Sequence, residues 1–236
     1  MTEDGRLIAS IHAFVIESQG KTIVVDTCVG NDKQRDIKAW NMRKGRFLED
    51  LADAGFPRER IITVVCTHLH VDHVGWNTML RDGKWVPTFP TARYLIGRKE
   101  YEYWSKADDE RDRTIQNDSV RPILDAGLAD LVKRTHKITS EVYLGPTPGH
   151  TPGHVSVHIR SKGAEAVITG DLMHHPVQCA EPSWASNFDV DSGKARVTRR
   201  AFLEKYKDGK VLVLGTHFAM PTAGRLSADG HAYRFG

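Results

Sequence analysis

The chain has 236 residues, of which 40% are apolar and 27% charged, and its formal net charge is +3. That size fits one substantial domain with a well-buried core. Acids and bases are interspersed, so there is no basic stripe of the kind that grips nucleic acid, and no window approaches the roughly 18 consecutive apolar residues of a membrane span.

The opening Met-Thr-Glu-Asp-Gly-Arg has neither the basic nor the apolar region of an export signal. Cys28, Cys66 and Cys179 are odd in number and far apart, which disfavours a disulfide framework or a thiolate metal site and fits a reducing compartment. The expectation is a cytoplasmic protein, a single domain over residues 1–236, with no nucleic-acid or membrane partner.

In chain order, Ile11 to Glu17 and Thr22 to Asp26 read as two strands joined at Gln19-Gly20, a hairpin signature. Phe47, Leu48, Leu51 and Ala54 recur at helical spacing between Gly45 and Gly55, and Pro57 stops that helix. Ile61 to Cys66 reads as a buried strand, with Cys66 as a small core residue. Arg93 to Ile96 is another strand, followed by a helix from Lys99. The very polar Ser105 to Arg121 reads as an exposed connection or a cap. Beyond it come strands at Glu141 to Leu144, His154 to Ile159, Ala166 to Thr169 and Val211 to Leu214, with a helix over Ala195 to Tyr206. Strands alternating with helices predict a layered α/β domain.

Four of those strands deliver a metal-binding side chain just past their end. After Ile61 to Cys66 come His68, His70, Asp72 and His73 within Thr67-His-Leu-His-Val-Asp-His-Val-Gly75. In an extended segment alternate side chains share a face, so one ion cannot take all four donors, but two adjacent ions can. His68 and His70 then hold one ion, and Asp72 and His73 the other.

The turn Thr147-Pro-Gly-His150 offers His150 at its tip, while His154, at the start of the following strand, reads as a supporting or core histidine. Gly170-Asp171 places a carboxylate able to give one oxygen to each ion, and Gly215-Thr-His217 supplies the last ligand. The set is then His68, His70 and His150 on one ion, Asp72, His73 and His217 on the other, and Asp171 across both. Nitrogen and oxygen donors suit two Zn2+, although iron, manganese or cobalt would also fit. A water shared by two such ions ionises near a pKa of about 7, which predicts a bridging hydroxide as nucleophile.

With its HxHxDH at 68–73, TPGH at 147–150, GDL at 170–172 and GTH at 215–217, the chain resembles the metallo-β-lactamase-fold hydrolases over about residues 21–224. The resemblance implies an αββα four-layer sandwich with a dinuclear site at one edge of two facing sheets. It also implies that Asp26, in Val-Val-Asp-Thr27, supports the ligands from a strand end. Residues 1–10 offer less β structure than such proteins bring before the hairpin, so some N-terminal β structure is expected to be lacking. Where lactonases of this fold often carry Tyr, this chain has His174, placed to polarise substrate or protonate a leaving group.

Trp76 and Asn77, with Trp184 in the loop from His175 to Gly193, are candidates for a substrate wall. Catalysis is expected from Asp72, Asp171 and His174, and the expected partner is a small neutral molecule, with homodimerisation left open. A lactone or other ester is the leading substrate. Gly75-Trp-Asn77 and Glu181-Pro-Ser-Trp184 also resemble segments of hydrolytic aryl dehalogenases of this fold, so a chlorinated aromatic nitrile or a phosphotriester is the alternative. An electron-transfer module and a non-enzymatic, metal-stabilised binding domain are the readings from other classes.

Overall fold

The computed structural model describes residues 2–236. The chain divides into two compact units, His12–Val132 and the residues up to Ile11 together with Lys133–Gly236.

In the first unit, β1 (Phe14–Ser18) and β2 (Lys21–Val25) form an antiparallel hairpin. Its turn residues Gln19 and Gly20 both have positive φ, 52° and 75°, and that backbone twist matches the flanking strands. After α1 (Phe47–Asp53), β3 (Thr63–Cys66) runs parallel to β2, and its four residues are all buried. A parallel strand covered on both faces reads as an unbroken apolar run, which is why Ile61 to Cys66 stood out. The short helix α2 (Val71–Val74) follows the loop after β3. A second hairpin, β4 (Thr78–Arg81) and β5 (Lys84–Pro87), precedes β6 (Arg93–Gly97), which pairs in parallel with β3. The sheet order is β1-β2-β3-β6-β7, with β7 at Ala129–Val132.

Between β6 and β7 lie α3 (Arg98–Trp104), α4 (Glu110–Ile115), a π-helical turn at Gln116–Val120 and α5 (Arg121–Asp125). The polar stretch expected as a connection or cap is thus mostly helical. It buries Ile115 and Val120 in the same cluster as Val64, Tyr94 and Ile96. It also buries Asp118, whose carboxylate takes a two-pronged pair from Arg35 at 2.7 and 2.9 Å. Lys33 donates to the Asp118 carbonyl at 3.0 Å and lies 3.6 Å over the Trp85 ring, and burial pushes its ammonium pKa down to about 7.

In the second unit, β8 (Val142–Pro146), β9 (Val155–Ser161) and β10 (Ala164–Ile168) are antiparallel neighbours. From β10 the chain passes through α6 (Val177–Ala180) and α7 (Ser192–Tyr206) to β11 (Leu212–Leu214), which lies parallel to β10. With β12 (Ala223–Gly224) the order is β12-β11-β10-β9-β8, and β13 (Leu226–Asp229) pairs with β14 (Ala232–Phe235). Asp191 caps α7 by accepting from Lys194 N–H at 2.8 Å, one turn before the predicted start. Ala9 forms an antiparallel bridge with Phe218, so the N-terminal residues belong to this unit. Both units are mixed α/β. No helix among the described residues is long and apolar enough to cross a membrane.

Candidate metal centre

In the first unit the loop after β3 crowds three imidazoles together. The His68 ring centroid lies 4.7 Å from that of His70 and 4.0 Å from that of His73. His68 and His73 are fully buried, while His70 and Asp72 are half-buried. Asp26 anchors the group: its carboxylate faces His73 Nδ1 at 2.9 Å and accepts from Thr67 N–H and Thr67 Oγ1–H, both at 2.8 Å. A carboxylate only accepts, so His73 carries its proton on Nδ1 and turns a bare Nε2 outward. Asp26 sits in the left-handed region at φ 58°, a conformation Asp tolerates and most residues resist. The strand-end support expected at Asp26 is therefore present.

Two further contacts fix this loop. Glu100, fully buried, accepts from Leu69 N–H at 3.1 Å and from Trp104 Nε1–H at 2.7 Å, which holds the backbone between His68 and His70. At Gly75, any Cβ would lie 1.9 Å from the Val29 carbonyl; only glycine lets Cys28 accept from Gly75 N–H at 2.7 Å. Asn77 is fully buried, and its side chain accepts from Thr27 Oγ1–H at 3.0 Å. Trp76 is also buried, its ring stacked on Phe47 at 5.7 Å. Cys66 is 2% exposed, the core position expected of it.

In the second unit the focus is Asp171, at the end of β10. His150 Nε2 lies 3.3 Å from its Oδ2, His174 Nε2 lies 3.3 Å from the same oxygen, and His217 Nε2 lies 3.2 Å from Oδ1. Two of those rings have a settled tautomer. His217 Nδ1 is 2.8 Å from the Ser10 carbonyl, which can only accept. His150 Nδ1 is 2.8 Å from Asp189 Oδ1, and Asp189 also accepts from Ser186 N–H at 3.0 Å. Burial pushes the Asp189 pKa up, but its bonds from His150 and Ser186 outweigh that, and it stays below the usual carboxylate range. Burial likewise pushes the His150 pKa down, against the opposing pull of Asp171 and Asp189, and favours the neutral ring.

His150, whose neutral ring burial favours, therefore aims its Nε2 lone pair at an Asp171 oxygen. Such a contact is repulsive unless a cation joins the two groups. Tetrahedral ligands held about 2.0 Å from an ion lie about 3.3 Å apart, and that is the spacing seen around Asp171. The donors, imidazole and carboxylate without thiolate, fit a divalent transition metal.

His154 plays a different part, as expected. Its Nδ1 is 3.0 Å from the Thr147 carbonyl, and its Nε2 accepts from Asp171 N–H at 2.9 Å. Both nitrogens thus serve the backbone, one of them the backbone of Asp171. The Pro-Gly turn before His150 packs on α7 so closely that a Cβ at Gly149, where φ is 140°, would lie 2.3 Å from Ala195 N. His174 keeps a 21% exposed side chain, and its ring lies parallel to that of His217 at 5.7 Å. Trp184 is 53% exposed.

Sequence reasoning missed Glu100, Asp189 and the Ser10 carbonyl. Each is a lone polar group whose partner lies elsewhere in the chain, 39 residues away for Asp189 and 207 for Ser10. No local spacing marks them.

The chain belongs to the metallo-beta-lactamase superfamily, whose family model matches residues 9–217. Among solved structures it is similar to AidC, a dizinc quorum-quenching lactonase in complex with a product, N-hexnoyl-L-homoserine, at 24% identity and TM-score 0.82, over 97% of this chain and 79% of that one. It is similar also to the hydrolase AbOPH of the beta lactamase superfamily, at 26% identity and TM-score 0.80, over 96% and 79% of the two chains. An N-acyl homoserine lactone hydrolase with N-hexanoyl-L-homoserine bound at its catalytic metal center matches at 18% identity and TM-score 0.66, over 90% and 83%. A search of curated proteins found no match. The mixed α/β architecture is thus the metallo-β-lactamase fold, and family and neighbours together support a metal-dependent hydrolase.

Proposed function

We propose that the protein is a dinuclear zinc hydrolase of small neutral cyclic esters, with a lactone as the leading substrate. The observation that carries this reading is the Asp171 carboxylate ringed by His150, His174 and His217 at 3.2–3.3 Å. In this reading His68, His70, His150 and Asp171 would hold one ion, and Asp72, His73 and His217, with Asp171, a second. Two divalent ions held there would polarise an ester carbonyl and bring the pKa of a coordinated water to about 7.

The protein's own part is to fix and protonate. Asp26 and Asp189 keep His73 and His150 in the tautomer that presents Nε2. Asp171, its N–H held by His154, and Asp72 are the carboxylates that would hold the ions and offset their charge. His174, beside Asp171 yet partly open to solvent, is placed to hand a proton to the departing alkoxide when the ring opens. Lactonase neighbours of the same fold support a lactone over a chlorinated nitrile or a phosphotriester.

The test is turnover by metal-loaded protein on lactones, chlorinated aromatic nitriles and phosphotriesters. Lactone hydrolysis dominating is the expected result; preferential release of chloride or of phosphodiester would overturn the substrate assignment. His174→Ala should keep its metal and lose about 10²–10³-fold in kcat on alkyl lactones, with a smaller loss on aryl esters whose leaving groups need no proton. Equal losses on both would remove His174 from that role.

A further inference from the structure

Arg199, in the middle of α7, is fully buried, yet no carboxylate pairs with it among the described residues; it meets only backbone carbonyls. Its Nε donates to Leu172 O at 3.0 Å and its Nη1 to Pro182 O at 3.1 Å, while Nη1 also donates to Trp184 O at 2.5 Å. Burial pulls its pKa below the usual arginine value. A buried guanidinium with no ion-pair partner is costly even with the charge of Asp189 in range, so a position that keeps one asks what the cation does there.

Its three carbonyls answer that question. Leu172 directly follows Asp171, while Pro182 and Trp184 lie at the far end of the next loop. Gln178 closes the bracket from the other side. Its Oε1 accepts from His174 N–H at 2.7 Å, and its Nε2 donates to Trp184 O at 3.0 Å. The backbone of Trp184 is therefore tied both to Leu172, through Arg199, and to His174, through Gln178. The Trp184 side chain nevertheless stays 53% exposed. The backbone of this residue is held while its indole is left open to solvent.

We infer that Arg199 and Gln178 are positioning residues that fix the loop from His174 to Trp184, so that the Trp184 indole forms a preset apolar wall for the substituent of the substrate. The inference rests on the hydrolase reading above, for which it names a specificity device. Arg suits this position because its planar fork reaches several carbonyls at once, and a lysine ammonium cannot match that geometry.

The experiment compares Arg199→Lys and Gln178→Ala with wild type, on γ-butyrolactone and on an aryl-substituted γ-butyrolactone. Acrylamide quenching of Trp184 is read as the difference between each protein and its Trp184→Phe counterpart. Both variants should keep wild-type metal content, raise KM for the aryl lactone about tenfold with kcat nearly unchanged, and barely alter the parent lactone. Quenching of Trp184 should rise in both. Metal content falling in step with activity, or unchanged KM and quenching in a folded Gln178→Ala protein, would overturn the inference. If Arg199→Lys does not fold, Gln178→Ala decides alone. If wild type hydrolyses neither lactone, the hydrolase reading fails while the quenching comparison still decides the bracket.

Discussion

Among single residues, His154 separates ligation from support most cleanly. Neutral, with its proton on Nδ1, it spends one nitrogen on the Thr147 carbonyl and the other on the N–H of Asp171. His154→Ala should therefore retain both ions and lose about 1–3 kcal/mol of stability, because that buried N–H and the Thr147 carbonyl lose a partner. Elemental analysis and denaturant unfolding read the two effects separately, and loss of one ion would make His154 a ligand. The candidate donors were legible because they are concentrated: four fall within 68–73, and His150, Asp171 and His217 each follow an apolar run with a glycine or turn beside them. Asp189, Gln178 and Arg199 were not legible. A polar residue in a loop or on a helix acquires its meaning only from a partner that folding brings to it.

Elements differed in legibility for similar physical reasons. Strands β3 and β10 and helix α7 announced themselves by uninterrupted or periodic apolar residues. The segment from Ser105 to Arg121 did not, since its π-helical turn adds a residue to the repeat and spaces the buried Ile115, Val120 and Ile123 by five and then three positions. Its anchor, the Asp118 pair with Arg35, spans 83 residues of sequence. The β4–β5 hairpin did carry a signal that went unused, Asp82-Gly83, both at positive φ of 51° and 74°.

The pairing of β8 with β9 makes its own prediction. His158 lies opposite Tyr143 in register and stacks on its ring at 5.1 Å. Burial, with Lys205 and Arg160 adding to it, holds the His158 pKa down to about 4, against an ordinary 6.5. Between those values the unfolded chain binds the proton more readily, so stability is fully present above about pH 6.5 and is lost as pH falls through about 4. His158→Phe, which keeps the stack, should show a shallower fall in Tm from about pH 7 to about pH 4.5 than wild type. Equal slopes would show that His158 adds nothing to acid sensitivity.

For the whole molecule, the central claim is that the histidines and aspartates delivered by separate strands serve a pair of cations. A metallo-β-lactamase fold accommodates many chemistries, so the fold alone does not fix the reaction. The bare Nε2 of His150 facing Asp171 is what makes the claim specific, because a neutral ring and a carboxylate repel at that spacing without a cation. Metal binding requires a deprotonated Nε2; Asp26 and Asp189 fix the proton of His73 and His150 on Nδ1, and burial favours the neutral His150 ring. The most direct measurement is elemental analysis of the purified wild-type protein beside Asp171→Ala. The account predicts about two transition-metal ions per wild-type chain and less than about one in the variant, since a carboxylate spanning both ions is gone. Two ions retained by Asp171→Ala, or a wild-type chain that takes up none when offered zinc, would contradict it.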